Sequence, residues 1–239
     1  MAIAFDKADS ALGNSSTTAT VALAAVAANE TAIIFAWNDS ATTFSSVTVN
    51  GSSSGVTQIG SVFTEAGGDQ WRAYYLYNPS TSSVNYTVTV TGADPYCRIF
   101  VELFSGTASD PTDSSNSGAV SSTTLTLSTT VVASNCWLVS AARRLNNGTL
   151  SAGTGSTLRD QANVANIVGD SNGTVGTGSQ SMSWNLTESG PMAGFIVSIK
   201  PSAPSGPANL KSWNGLAKAS IKSINGLAIG SIKRVNGLE

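Results

Sequence analysis

A chain of 239 residues has room for one large β domain with an appendage, or for two small domains. Hydrophobic residues make up 41% and charged residues only 11%, enough for a core but far below the roughly 25% charge of ordinary soluble domains. The net charge is −2 and there is no histidine, which removes the common zinc and non-haem iron sites and every histidine-activated nucleophile.

Ser, Thr, Gly, Ala and Val take the place of charge, a bias toward strands and turns and away from helix interiors. So uncharged a surface hints at an extracellular or virion-surface protein. Cys97 and Cys136 are too few for a disulfide framework and read as buried free thiols. The opening MAIAFDKADS shows no charged leader followed by an apolar run, and residues 21–28 are too short and alanine-rich to span a bilayer. The expected product is made in the cytoplasm without a signal peptide and has no membrane partner.

In chain order, residues 18–23 (TATVAL) alternate, with Ala19, Val21 and Leu23 on one face. Residues 31–37 (TAIIFAW) are continuously apolar, as in a central strand. Residues 47–49 meet Asn50-Gly51, a hairpin pair. Residues 58–63 and the aromatic run 71–77 (WRAYYLY) follow, then 85–91, where Tyr86, Val88 and Val90 oppose Thr87, Thr89 and Thr91. Residues 98–104 (RIFVELF) form the next strand, and 105–122, polar and interrupted by Asp110-Pro111, read as a long loop. Strands are expected at 123–132, 136–142, 163–168, 181–186 and 193–200. No window carries a helical stripe. About a dozen short strands with frequent turns predict an all-β, antiparallel β-sandwich body over residues 1–200, jelly-roll-like and built of two sheets.

Pro201, Pro204 and Pro207 mark 201–209 as a stiff linker. Residues 210–239 then repeat with a period of 11. The Asn-Gly pairs are Asn214-Gly215, Asn225-Gly226 and Asn236-Gly237. Leu210, Ile221 and Ile232 keep the period, as do Trp213, Ile224 and Val235, and Leu216, Leu227 and Leu238; Ile229 adds a further apolar position. A glycine in every copy argues against a supercoiled helix, and Asn-Gly between short apolar pieces fits β-turns. Fewer than three full units make a poor core, so this short β-repeat tail is expected to oligomerise, with several interwound copies covering each other's apolar side chains. Lys211, Lys218, Lys222, Lys233 and Arg234 against Glu239 give the tail a charge of +4, leaving −6 on residues 1–209. Those regularly spaced cations suit an outer, soluble face of the repeat as well as an acidic partner, and nucleic acid is not expected.

A Ser/Thr-rich sandwich, a Pro-rich linker and repeats of the type Ile221-Lys222-Ser223-Ile224-Asn225-Gly226-Leu227-Ala228 together resemble structural proteins of tailed phages: head fibres, capsid decoration proteins and tail fibres. The resemblance implies a virion location, homotrimeric assembly, contact with other virion proteins and no catalytic residues.

Two segments match G-x-S-x-G, at 51–55 and 169–173, but neither precedes a helical pattern. Asp110, Asp113, Asp170 and Asn172 are calcium-capable residues without the spacing of a known calcium loop, and no cofactor is expected. Glu102 is the one acid inside an apolar strand, and Arg98 is its expected partner. Trp71, Tyr75 and Tyr77 share a face that a sugar-binding platform would use. The expected function is therefore non-enzymatic and structural, with a carbohydrate-binding module for host or environmental glycans as the alternative.

Overall fold

Strand β3 (Thr31–Asn38) is buried on both faces along its length, as its unbroken apolar run requires. It pairs antiparallel with β6 (Gln70–Tyr77) and β8 (Tyr96–Ser105), and with β1 (Ala4–Asn14) and β5 (Thr57–Thr64) these make a five-stranded sheet in the order β1-β8-β3-β6-β5. Period-two geometry then sorts the side chains. Ala32, Ile34 and Ala36 of β3, with Cys97, Ile99, Val101 and Leu103 of β8, enter one core. The bulkier Ile33, Phe35, Trp37, Phe100 and Phe104 enter a second core on the other face.

The first core is closed by a three-stranded sheet in the order β2-β7-β4, from β2 (Thr18–Val26), β7 (Val84–Thr91) and β4 (Ser46–Val49). The alternating residues Ala19, Val21, Leu23, Tyr86, Val88 and Val90 point inward, and their threonine neighbours face out. After β4, Asn50 and Gly51 take φ of +52° and +76°, with Val49 and Ser52 exchanging both backbone hydrogen bonds, the geometry of a primed two-residue turn.

The second core is closed by a six-stranded sheet. It contains β10 (Trp137–Arg144), β11 (Leu150–Ala152), β12 (Thr157–Asn163), β13 (Asn166–Asp170) and the long pair β9 (Thr107–Val131) and β14 (Gly178–Pro201). The β9–β14 ladder runs from Gly178↔Val131 to Pro201↔Thr107, with register shifts on either side of Ile199 and a larger one between Asn185 and Gly190. There the ribbon folds back on itself. Asn116 Nδ2 donates to Ser128 O at 2.8 Å, and Thr129 Oγ1 donates to Ser114 Oγ at 2.9 Å. A third core, with Leu125, Leu127, Met182, Trp184 and Ile196, fills the fold.

The described residues are 2–14, 16–39, 46–78, 84–92, 96–145 and 147–203, with the backbone of 212–213, 216–217, 223–224 and 227–228, in a computed structural model. Ala2–Pro201 forms one compact unit and Ser202–Glu239 a second. The architecture is an all-β antiparallel sandwich, but its stack holds three sheets where the strand pattern predicts two. β3, β8, β10 and the end of β14 each bury both faces, so two of the sheets each serve two cores. Residues 107–122, expected as a loop, are strand. Their serines, threonines and aspartates are poor strand formers held by ladder bonds to β14, a partner some 80 residues away in sequence. Charged β1, also not predicted, is an edge strand, where charge is favoured.

In the second unit, β15 (Ser212–Trp213) pairs with β16 (Leu216–Ala217), and β17 (Ser223–Ile224) pairs with β18 (Leu227–Ala228).

Candidate functional site

A concentration of charge around an aromatic ring lies where β3 and β10 end and β8 begins. Register sets Trp37 opposite Arg98, and β10 brings Arg143 across from the facing sheet. The Arg143 guanidinium lies 3.6 Å from the Trp37 ring centroid and that of Arg98 lies 5.4 Å from it, cation–π contacts that fix both side chains. Trp37 is only 3% exposed, so it orients the arginines and offers no stacking face.

Behind Arg143, the β5–β6 turn supplies two acids. Arg143 Nη1 is 3.2 Å from Asp69 Oδ2, an ion pair by proximity although the N–H is not aligned for a hydrogen bond. Glu65 Oε1 accepts from Trp71 Nε1 at 2.7 Å. Burial pushes the Asp69 carboxyl up to about 6, against the pull of Arg143, and burial also raises Glu65. The same loss of solvent holds Arg143 and Arg98 below the usual guanidinium range.

In front lies a cavity of about 230 Å³ lined in part by Trp37, Asp39, Arg98, Arg143, Arg144 and Asn166. Arg98 Nη1 donates to Cys97 O. Arg144 has no ion pair among the described residues, and the Nε of each of these two arginines is buried without a hydrogen-bond partner. Arg98 and Arg144 are therefore cations with unused donor capacity beside a cavity.

The other expected residues fall elsewhere. Glu102 does not meet Arg98: four residues along one strand is about 13 Å, and the shared face does not shorten it. Its side chain is wholly buried with neither carboxyl oxygen hydrogen-bonded. Burial and the charge of Asp170 hold its carboxyl well above the usual range, with Arg159 opposing. Arg159 is committed to Asp170 by two bonds of 2.7 and 2.9 Å, and stacks over Phe5. Trp71 is fully buried and stacked on Phe100, and Tyr77 Oη donates to Asn29 Oδ1, so this strand presents core and not an open platform.

Asp113 accepts from Val132 N and Ala133 N, Asp110 lies 3.5 Å from Lys200, and Asn172 Oδ1 accepts from Arg159. No group of three or more acids, cysteines or histidines arranged to hold a metal occurs among the described residues. Ser171 Oγ donates to Gly173 O and accepts from Leu138 N, while Ser53 sits in an exposed turn. Both cysteines are buried, and neither is in a disulfide.

In the tail, Trp213 pairs with Leu216 and Ile224 with Leu227, three positions apart in each case. Leu210, Ile221, Ile229, Ile232, Val235, Leu238 and the pairs at 214–215, 225–226 and 236–237 lie outside the described residues.

The arginine cavity was the feature sequence reading missed. Its only signals were Arg98 opening an apolar strand and Arg143-Arg144 closing another. No protein family, curated protein or solved structure matches the chain.

Proposed function

We propose that the chain is a non-enzymatic structural component of a phage virion, assembled as a homo-oligomer of three copies through its C-terminal repeats. The observation that carries this reading is the identical pairing of successive repeats, Trp213↔Leu216 and Ile224↔Leu227. Each is a two-stranded hairpin of the shortest kind, and an isolated hairpin is marginal in water. Eleven-residue spacing presents the same apolar residues again and again on units too small to shelter them. Neighbouring chains provide that shelter, and the stacked sandwich is the part carried outward.

Light scattering on the full chain tests it. The expected mass is three times 24.3 kDa, with Ile224→Asp together with Leu227→Asp reducing it to one. A monomeric wild-type chain, or an oligomer untouched by the double variant, defeats the proposal. Cosedimentation with virus particles tests the location separately.

A further inference from the structure

We infer that the cavity between Trp37, Arg98 and Arg144 is a binding site for a carboxylate-bearing sugar, a uronic-acid unit. The inference is independent of how the tail assembles. The charge balance comes first. Of the three arginines lining the cavity, Arg143 is already neutralised by Asp69 at 3.2 Å. Arg98 and Arg144 remain, with Asp39 the one acid among the described residues of the lining. Two forked guanidinium groups with buried, unpartnered Nε atoms suit a planar carboxylate, which accepts two parallel N–H bonds.

The rest of the lining distinguishes a sugar from a bare acid. Asn163 Oδ1 is used by Ala165 N and by Asn166 Nδ2, leaving the Asn163 amide nitrogen and the Asn166 amide oxygen without a partner among the described residues. With Asp39 they offer one donor and two acceptor groups, suited to adjacent hydroxyls. An acidic peptide side chain has no hydroxyls to meet them. A volume near 230 Å³ is below the range of drug-sized pockets and suits one ring. A second depression shares Arg144 and Leu145 and extends to Asn147, Glu188 and Ser189, so a longer chain of sugars has somewhere to continue.

The position is also favourable. Pro201, where the sandwich ends, pairs with Thr107, and Thr107 Oγ1 hydrogen-bonds Thr31 Oγ1 at the start of β3. Asp39 lies past the other end of β3, roughly 25 Å away at ~3.3 Å per residue. The cavity thus opens at the far end of β3 from Pro201.

Calorimetric titration of the full-length protein decides the matter, using glucuronate, galacturonate, galactose, glutarate and inorganic phosphate. The expected result is saturable binding of at least one uronate, about tenfold or more tighter than galactose, which lacks the charge-assisted contact, or glutarate, which lacks the hydroxyl contacts. Arg144→Ala is expected to weaken uronate at least tenfold with an unchanged melting temperature. Arg98→Lys, which keeps the charge and loses the fork, is expected to weaken it as well and serves if Arg144→Ala fails to fold. Absence of uronate binding, equal binding of glutarate or phosphate, or indifference to both substitutions overturns the inference.

Discussion

Replacing Glu102 is expected to stabilise the protein, contrary to the usual result for a fully buried residue. The side chain is 0% exposed, lies between Phe100 and Phe104 on the face of β8 that enters the aromatic core, and neither oxygen has a hydrogen-bond partner. A buried polar group without partners costs about 1–3 kcal/mol, and leucine in its place removes that cost and adds apolar contact. For a body of this size each kcal/mol moves Tm by about 2–4 °C, so Glu102→Leu is expected to raise Tm by about 2–12 °C at neutral pH. The pH dependence supplies the sharper test. The folded carboxyl is held well above the 4.5 of the free group, so the native state keeps a proton that the unfolded chain gives up. Stability from this group is full below about pH 4.5 and falls as pH rises toward the folded value, by up to about 1.4 kcal/mol per pH unit. Glu102→Gln keeps the shape and cannot ionise, so its advantage over wild type should widen from pH 5 to pH 9. Urea unfolding at several pH values measures it. Parallel wild-type and Gln curves, or a Leu variant less stable than wild type, would refute the assignment of a strained neutral acid.

Other substitutions probe the stacking. Gly194→Ala puts a Cβ into the Ala141 carbonyl oxygen and within 3.0 Å of Leu127 Cδ1, and is expected to cost about 1–3 kcal/mol, read by urea midpoint. Asp170→Asn leaves Arg159 one acceptor oxygen at residue 170 where it had two, and removes the charge; it is expected to lose about 3 kcal/mol, far more than any change at exposed Asp6. Asn50→Ala removes the bonds from Thr87 N and to Asn85 O and puts alanine at positive φ. A loss of about 1–2 kcal/mol is expected, with Asn50→Gly recovering part of it.

The strands that sequence reading located are those whose partners leave a mark on the pattern. β2 and β7 alternate because one face is wet, and β3 is solidly apolar because neither is. β9 left no such mark, since its serines and threonines are tolerated in a strand by β14 and not by their own preference. The apolar run that identified β3 as central, and the similar run of β8, also implied a layer on each side, and counting layers from them would have given the third sheet. The arginine cavity was illegible for a different reason. Trp37, Arg98 and Arg144 stand on three strands, and only the register of β3 on β8 and the approach of β10 bring them together. In the tail the Asn-Gly period was plain in the letters, and the pairing on either side of 214–215 and 225–226 follows the same spacing.

The order of synthesis gives the last strand an unusual burden. β14 lies between β10 and β11 and also carries β9, so the six-stranded sheet has no middle until residue 201 has left the ribosome. Until then the first hundred residues can pair among themselves, yet the core of Phe35, Trp71, Phe100 and Phe104 lacks Phe195, Val197 and Ile199 of β14 from its cover. A nascent chain halted in the 170s would carry an open aromatic wall, and low-temperature expression or a co-produced chaperone should raise yield by bridging that interval.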